Sequence, residues 1–242
     1  QGLPEGGVTV WLRGGELQRS TPLVLSPEDS GEPGKPVRYA AYAGEKPVVF
    51  GGRYIKEFQP GPNGVWQATI PEAKDGKWIF RTLYVNGRRY TLARSPNRGY
   101  FRMAGGVPDD DSPTSGPYAG KSKGAFRAPP EAIELLTHLD TTNLKVWGRW
   151  WTSLYTLASV DPATGIVRLA GPARRPLPTS GEMSPFLVEN HPGALDEPGE
   201  WQLDRKTGVL RIIPNEADDL GSATVFAPVT ERLLVLEGDP DA

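Results

Sequence analysis

The sequence predicts an all-β protein, in which short rungs of the parallel β-helix kind are interrupted by an antiparallel, sandwich-like module. Three observations carry the prediction. Gly (29) and Pro (25) are abundant among 242 residues, yet hydrophobic residues still make up 38%. A disordered chain would hold fewer large apolar residues, so Gly and Pro read as turns between strands. Seven Trp, eight Tyr and seven Phe are spread along the chain, enough to furnish a core throughout. Finally, apolar runs are short near both ends and pair into longer hairpins in the middle.

The first block is residues 1–56. Val8–Leu12, Pro22–Leu25, Val37–Tyr42 and Pro47–Phe50 are strand-like, with Gly14-Gly15 and Gly51-Gly52 at corners and a turn-rich loop over Ser26–Pro36. Short strands between Gly/Pro corners suit β-helix rungs, where each rung buries its apolar face only against the next. The same spacing also suits a β-sandwich.

Residues 57–222 form the expected inserted module. Leu83–Val85 and Arg88–Leu92 flank Asn86-Gly87, the pair that supplies the two positive-φ positions of a type I′ hairpin turn. Trp201–Asp204 and Val209–Ile213 make a second hairpin around Arg205–Gly208. Leu144–Trp147 and Trp150–Leu157 read as strands, and one short helix is expected over Pro129–Leu136, from its Pro start and acidic first turn. Gly99–Lys123 reads as loop. Residues 223–242 return to the short-stranded style, with Thr224–Leu236 expected to pair with or stack on Val37–Phe50.

Composition excludes several functions. Lys plus Arg (27) and Asp plus Glu (29) nearly balance, at a formal charge of −2. No basic cluster, the Arg174-Arg175 pair included, is large enough to track a phosphate backbone, so no nucleic-acid partner is expected. No apolar run approaches the ~18 residues of a membrane span. With no cysteine, disulfides, thiolate zinc sites and cysteine nucleophiles are all absent. The chain opens at Gln1 without a signal-peptide pattern, which suggests a removed leader or a fragment. A β-helix of so few rungs would leave an open apolar end and unpaired edges, which favours the fragment.

Four segments carry a family resemblance: VWLRGG (Val10–Gly15) with SGEPGKPVRYAAYAGEKPVVFGG (Ser30–Gly52); FRTLYVNGRRYTLARSPN (Phe80–Asn97); LASVDPATGIVRL (Leu157–Leu169); and VENHPGALDEPGEWQLDRKTGVLRIIP (Val188–Pro214) with VFAPVTERLLVLEG (Val225–Gly238). Together they resemble right-handed parallel β-helix glycoside hydrolases of the β-xylosidase and fucosidase/xylanase type, in which a β-sandwich is inserted between early rungs and the main helix. The resemblance implies a secreted or periplasmic, bacterial-like protein that degrades polysaccharide. It also implies catalytic carboxylates on later rungs, beyond this chain. Such enzymes need two carboxylates flanking the scissile bond, and no residue here matches one by motif, so no catalytic residue is assigned. The alternative is a non-catalytic glycan-binding or structural β-module. A poly- or oligosaccharide is the expected partner in the first two cases; oligomeric state is not legible.

Candidate sites have competing readings. Asp196, Glu197, Glu200 and Asp204 form an acidic cluster, either a carboxylate pair or cation site, or solvated acids around the Pro198-Gly199 turn. The turn alone accounts for them. Asp109-Asp110-Asp111-Ser112 offers the oxygen ligands calcium takes, but in no spacing of fixed geometry, so no metal or other cofactor is assigned. Trp147, Trp150 and Trp151 offer aromatic planes to the C–H face of a pyranose, or else pack the core. Adjacent Trp150 and Trp151 would point to opposite faces of a strand. His138 and His191, the two histidines, lack metal-ligand spacing. Asn190-His191 precedes the second hairpin, where it either approaches a substrate groove or is structural. The candidate substrate-binding residues are therefore Trp150, Trp151, Asn190 and His191.

Overall fold

A computed structural model describes residues 2–179 and 183–238. The protein is all-β, with a few helices of three or four residues, and divides into two compact units. The smaller comprises 1–55 and 226–242, the larger 56–225.

In the smaller unit, three pairs of strands run parallel. Val8–Leu12 lies beside Val37–Ala41, with Val8 opposite Val37. Gly15–Gln18 lies beside Pro47–Phe50, with Gly15 opposite Pro47. Leu23–Leu25 lies beside Leu234–Leu236, with Leu23 opposite Leu234. Three successive strands thus each lie parallel beside a later strand. The chain leaves after the second place and returns, after the whole larger unit, to fill the third. Backbone bonds extend each pair: Tyr42 N–H to Leu12 C=O at 2.9 Å, Arg19 N–H to Phe50 C=O at 2.9 Å, and Glu237 N–H to Leu25 C=O at 2.8 Å.

Leu234–Leu236 thus pairs with Leu23–Leu25 and not with Val37–Phe50, but the segment before it does reach that block: the Phe226 ring lies 5.8 Å from Phe50, and Val229 N–H donates to Gly51 C=O at 2.7 Å. At the corner after the first strand, Arg13 grips Glu45 through two nitrogens at 2.6–2.9 Å and lies 4.7 Å over the Tyr42 ring. No residue of the six strands is fully buried, and Val48 (52%) and Leu236 (71%) are among the exposed apolar side chains. Parallel sheets are ordinarily covered on both faces, so this stack is thin by that standard.

The larger unit holds two sheets, antiparallel at nearly every pairing. The first runs in the order Leu83–Val85, Arg88–Leu92, Glu200–Asp204, Val209–Ile213, Trp66–Thr69 and Gln59–Pro60. Both hairpins lie in it. Asn86 (φ 50°) and Gly87 (φ 74°) turn the first, with Val85 opposite Arg88. Asp204 closes the second by accepting from Lys206 and Thr207 N–H. Trp201, Leu203, Leu210 and Ile212 alternate into a core in which the Trp201 and Phe80 rings stack at 5.4 Å. The join between the two hairpins, Thr91–Leu92 beside Glu200–Trp201, is parallel.

Asp218 pins the first hairpin. Its buried carboxylate accepts from Asn86 Nδ2 (2.7 Å), from Arg88 (2.9 Å) and from the Tyr90 hydroxyl (2.7 Å). The Tyr90 hydroxyl in turn accepts from Asn215 N–H at 3.0 Å. These donors, Tyr90 foremost, hold the Asp218 carboxyl down at about 2, against the desolvation that would raise it.

The second sheet runs in the order Arg94–Ser95, Pro185–Glu189, Asn143–Trp147, Thr152–Asp161, Ile166–Leu169, Ala125–Arg127 and Gly105–Gly106. Its core gathers Met103, Phe126, Leu144, Val167, Phe186 and Val188, with Ala132 and Leu136 from the short helix region. That helix spans only Pro130–Ile133, and a second, unexpected α-helix occupies Pro71–Lys74. Each begins on a proline, whose missing N–H costs nothing at that position. The expected strand from Trp150 begins instead at Thr152. Gly148–Trp151 is a tight connection from Trp147 to Thr152, closed by Gly148 N–H to Trp151 C=O at 2.8 Å. Among the described residues, no helix is long and apolar enough to cross a membrane.

Candidate functional site

The Gly148–Trp151 connection makes the most distinctive surface of the larger unit. Trp150 sits at its tip and is 85% exposed. Trp151 is placed differently. A Cβ on Gly148 would come within 2.4 Å of the Trp151 ring, so the glycine leaves the room the indole fills. The Arg174 and Arg175 guanidiniums lie 5.6 and 5.9 Å from its centroid. Trp151 is thus an aromatic rest for two arginines, a cation–π arrangement, while Trp150 faces outward.

Beside this tip runs an open groove of about 1020 Å³. Lys121, Lys123, Arg174 and Arg175 line it, together with Asp109 and Asp111. A smaller recess of about 210 Å³ shares Tyr118 and Arg175 with the groove and is bounded by Arg149, Trp150 and Trp151. Among the described residues, none of these lysines and arginines forms an ion pair. Asp109 is taken up by its own loop, its Oδ1 accepting from the Ser112 hydroxyl at 2.6 Å. No three His, Cys, Asp or Glu side chains gather as a metal site among the described residues. Asp109 and Asp111 lie two residues apart on one loop, so they do not face each other across the groove as a glycosidase pair must.

Asn190 and His191 lie elsewhere, inside the unit. Asn190 is 2% exposed with φ 64°. Its Nδ2 donates to Thr141 and Leu203 C=O, both at 2.9 Å, and its Oδ1 accepts from Leu203 N–H at 2.8 Å. It thereby ties the Pro185–Glu189 strand to Glu200–Asp204 of the other sheet. His191 is 6% exposed. Gly193 N–H donates to its Nδ1 at 3.0 Å, which places the ring proton on Nε2, 2.9 Å from the Thr137 hydroxyl oxygen. Desolvation first, and His138 at 5.1 Å second, depress its pKa to about 4. Every polar atom of both side chains is thus engaged within the fold.

Of the acidic hairpin entry, Glu200 is internal while Asp196 and Glu197 are exposed. Glu200 is 4% exposed, and its Oε2 accepts from Asp196 and Glu197 N–H at 3.1 and 3.3 Å. Burial raises its pKa above the usual carboxylate value, although these donors pull the other way. Asp196 accepts from Asn97 Nδ2 at 2.8 Å. A second cleft, of about 310 Å³, centres on buried Glu189, which pairs with Arg81 at 2.9 Å and Lys145 at 3.6 Å. Its carboxylate is fully occupied by these cations.

No protein-family model matches the chain, and no curated protein matches it. A solved structure named "Glycoside hydrolase" matches with a TM-score of 0.77 at 23% sequence identity, over 95% of this chain and 40% of its own. At that identity the likeness shows a shared fold. This chain spans about 40% of the length of that protein.

Proposed function

We propose that this chain is the N-terminal portion of a polysaccharide-degrading glycoside hydrolase, with its catalytic carboxylates on a later part of the protein. The observation that carries the reading is the parallel pairing of the smaller unit, two strands deep in three successive places. We read it as the first coils of a right-handed parallel β-helix, with residues 57–222 inserted as a sandwich-like module and 223–242 resuming the coil. The exposed apolar strands of that stack suit cover by further coils. The fold shared with a chain named glycoside hydrolase supports the same reading. A secreted or periplasmic setting follows from a polymeric substrate that cannot enter a cell intact.

The inserted module would contact glycan through Trp150, with Trp151 as its support; Asn190 ties the two sheets and His191 is engaged by Gly193 and Thr137. The exposed indole is the specific observation that also favours the second reading, a non-catalytic glycan-binding module. The test is turnover of aryl glycosides and plant polysaccharides by the 242-residue chain, with Glu200→Gln and Asp204→Asn as controls. No turnover is expected, because no carboxylate pair flanks the groove. Turnover abolished by either substitution would move the active site into the inserted module and overturn the assignment.

A further inference from the structure

We infer that the groove beside Trp150 is built for an anionic polysaccharide, one whose sugars carry carboxylate or sulfate. This rests on the reading of Trp150 as a glycan contact and adds the class of glycan. A neutral sugar needs an aromatic plane and a few hydrogen-bonding groups, and a concentration of charge gains it little. Here five cations (Lys121, Lys123, Arg149, Arg174 and Arg175) line the groove and its adjoining recess, against the carboxylates of Asp109 and Asp111. Asp109 is already held by Ser112.

The arrangement is specific in a second respect. Two of the cations are guanidiniums set against an aromatic ring. Trp151 carries Arg174 and Arg175 on its ring, and Gly148 leaves the space that seats that ring. A guanidinium resting against a ring loses less freedom on binding, and its fork matches a carboxylate or sulfate through two parallel N–H bonds. Trp150, next in the chain to Trp151, would take the apolar face of a sugar while Arg175, which lines both recess and groove, meets the acid group of that sugar or its neighbour. The groove is open to solvent and is not an enclosed cavity.

The experiment measures binding of the 242-residue chain to three soluble polymers: polygalacturonate (carboxylated), dextran sulfate (sulfated) and neutral arabinoxylan. The chain is compared with Trp150→Ala and Arg174→Gln/Arg175→Gln at low and moderate salt. Both variants alter exposed side chains, so their melting temperatures should match the parent, and any variant that melts early is replaced by Trp150→Gln or Arg175→Lys. Binding to at least one acidic polymer is expected, weakened by about tenfold or more in each variant and falling with salt. Preference between the two acidic polymers identifies the acid group. Equal or tighter binding to arabinoxylan would overturn this inference and leave the glycan contact standing. Acidic-polymer binding untouched by both variants would mean general charge attraction and would also overturn it. No binding to any of the three would overturn the glycan contact itself.

Discussion

His191 should make the protein less stable as pH falls from neutrality, by an amount its surroundings define. The ring is 6% exposed, accepts from Gly193 N–H through Nδ1, and meets the Thr137 hydroxyl through Nε2, with His138 at 5.1 Å. A second ring proton would have to sit on Nδ1, facing another N–H, in a site that solvates charge poorly and beside a second imidazole. The folded-state pKa is therefore about 4, against 6.5 for a free imidazole. The unfolded chain takes up its proton near 6.5 and the folded chain only near 4. The contribution is complete above pH 6.5, is lost as pH falls toward 4, and stays constant below that. At 1.36 kcal/mol per pKa unit it amounts to about 3 kcal/mol. Because carboxylates also titrate in this range, the comparison is with His191→Asn, which retains a side-chain oxygen for Gly193 N–H and cannot titrate. Urea unfolding between pH 7.5 and 4 should show the parent losing about 3 kcal/mol more than the variant. Equal pH dependence in the two, or an NMR titration placing His191 near 6.5, would refute the burial argument.

Asp218→Ala should cost about 3 kcal/mol in urea unfolding, because it strands the Asn86, Arg88 and Tyr90 donors around a buried void. In the parent, the Asp218 carboxyl lies at about 2 instead of 3.8, so its share of stability, on the order of 2 kcal/mol, is present above pH 3.8 and lost as pH falls through 2. An Asp218→Asn variant cannot titrate there, so between pH 4 and 2 it should lose about 2 kcal/mol less stability than the parent does; equal steepness below pH 3.8 in both would argue against it. Gly87→Val should lower stability by about 1–2 kcal/mol, since Gly87 sits at φ 74° and a β-branched side chain resists that region. An unchanged melting temperature would count against the turn.

What was legible in the sequence follows the range of the forces involved. Asn86-Gly87 announces its hairpin because the dipeptide itself supplies both positive-φ positions. Trp201–Ile213 shows its alternation within a dozen residues. Trp150 and Trp151, by contrast, look like the start of the Thr152–Asp161 strand. They fall in a connection because Gly148 makes room for the Trp151 ring and bonds to its carbonyl, which no local pattern encodes. Parallel partners are harder still. Leu23–Leu25 finds Leu234–Leu236 only after the chain has completed an entire other unit. The groove stayed hidden for a related reason: Lys121, Lys123, Arg149 and the Arg174-Arg175 pair come from three separate segments, each too weakly basic to stand out. Asn190 and His191 sit in a Pro- and Gly-containing stretch that reads as surface, and burial alone decides that both are structural, Asn190 bonded to Leu203 of the other sheet and His191 to Gly193.

Whether the smaller unit begins a longer parallel stack decides the proposed function. A crystal structure of the natural protein that carries this chain tests that directly. The outer edges of Val37–Ala41, Pro47–Phe50 and Leu234–Leu236 should each be hydrogen-bonded to a further parallel strand, with paired Asp or Glu side chains on the coils beyond. A natural chain that stops at Ala242, or one in which those three edges face solvent, would contradict it.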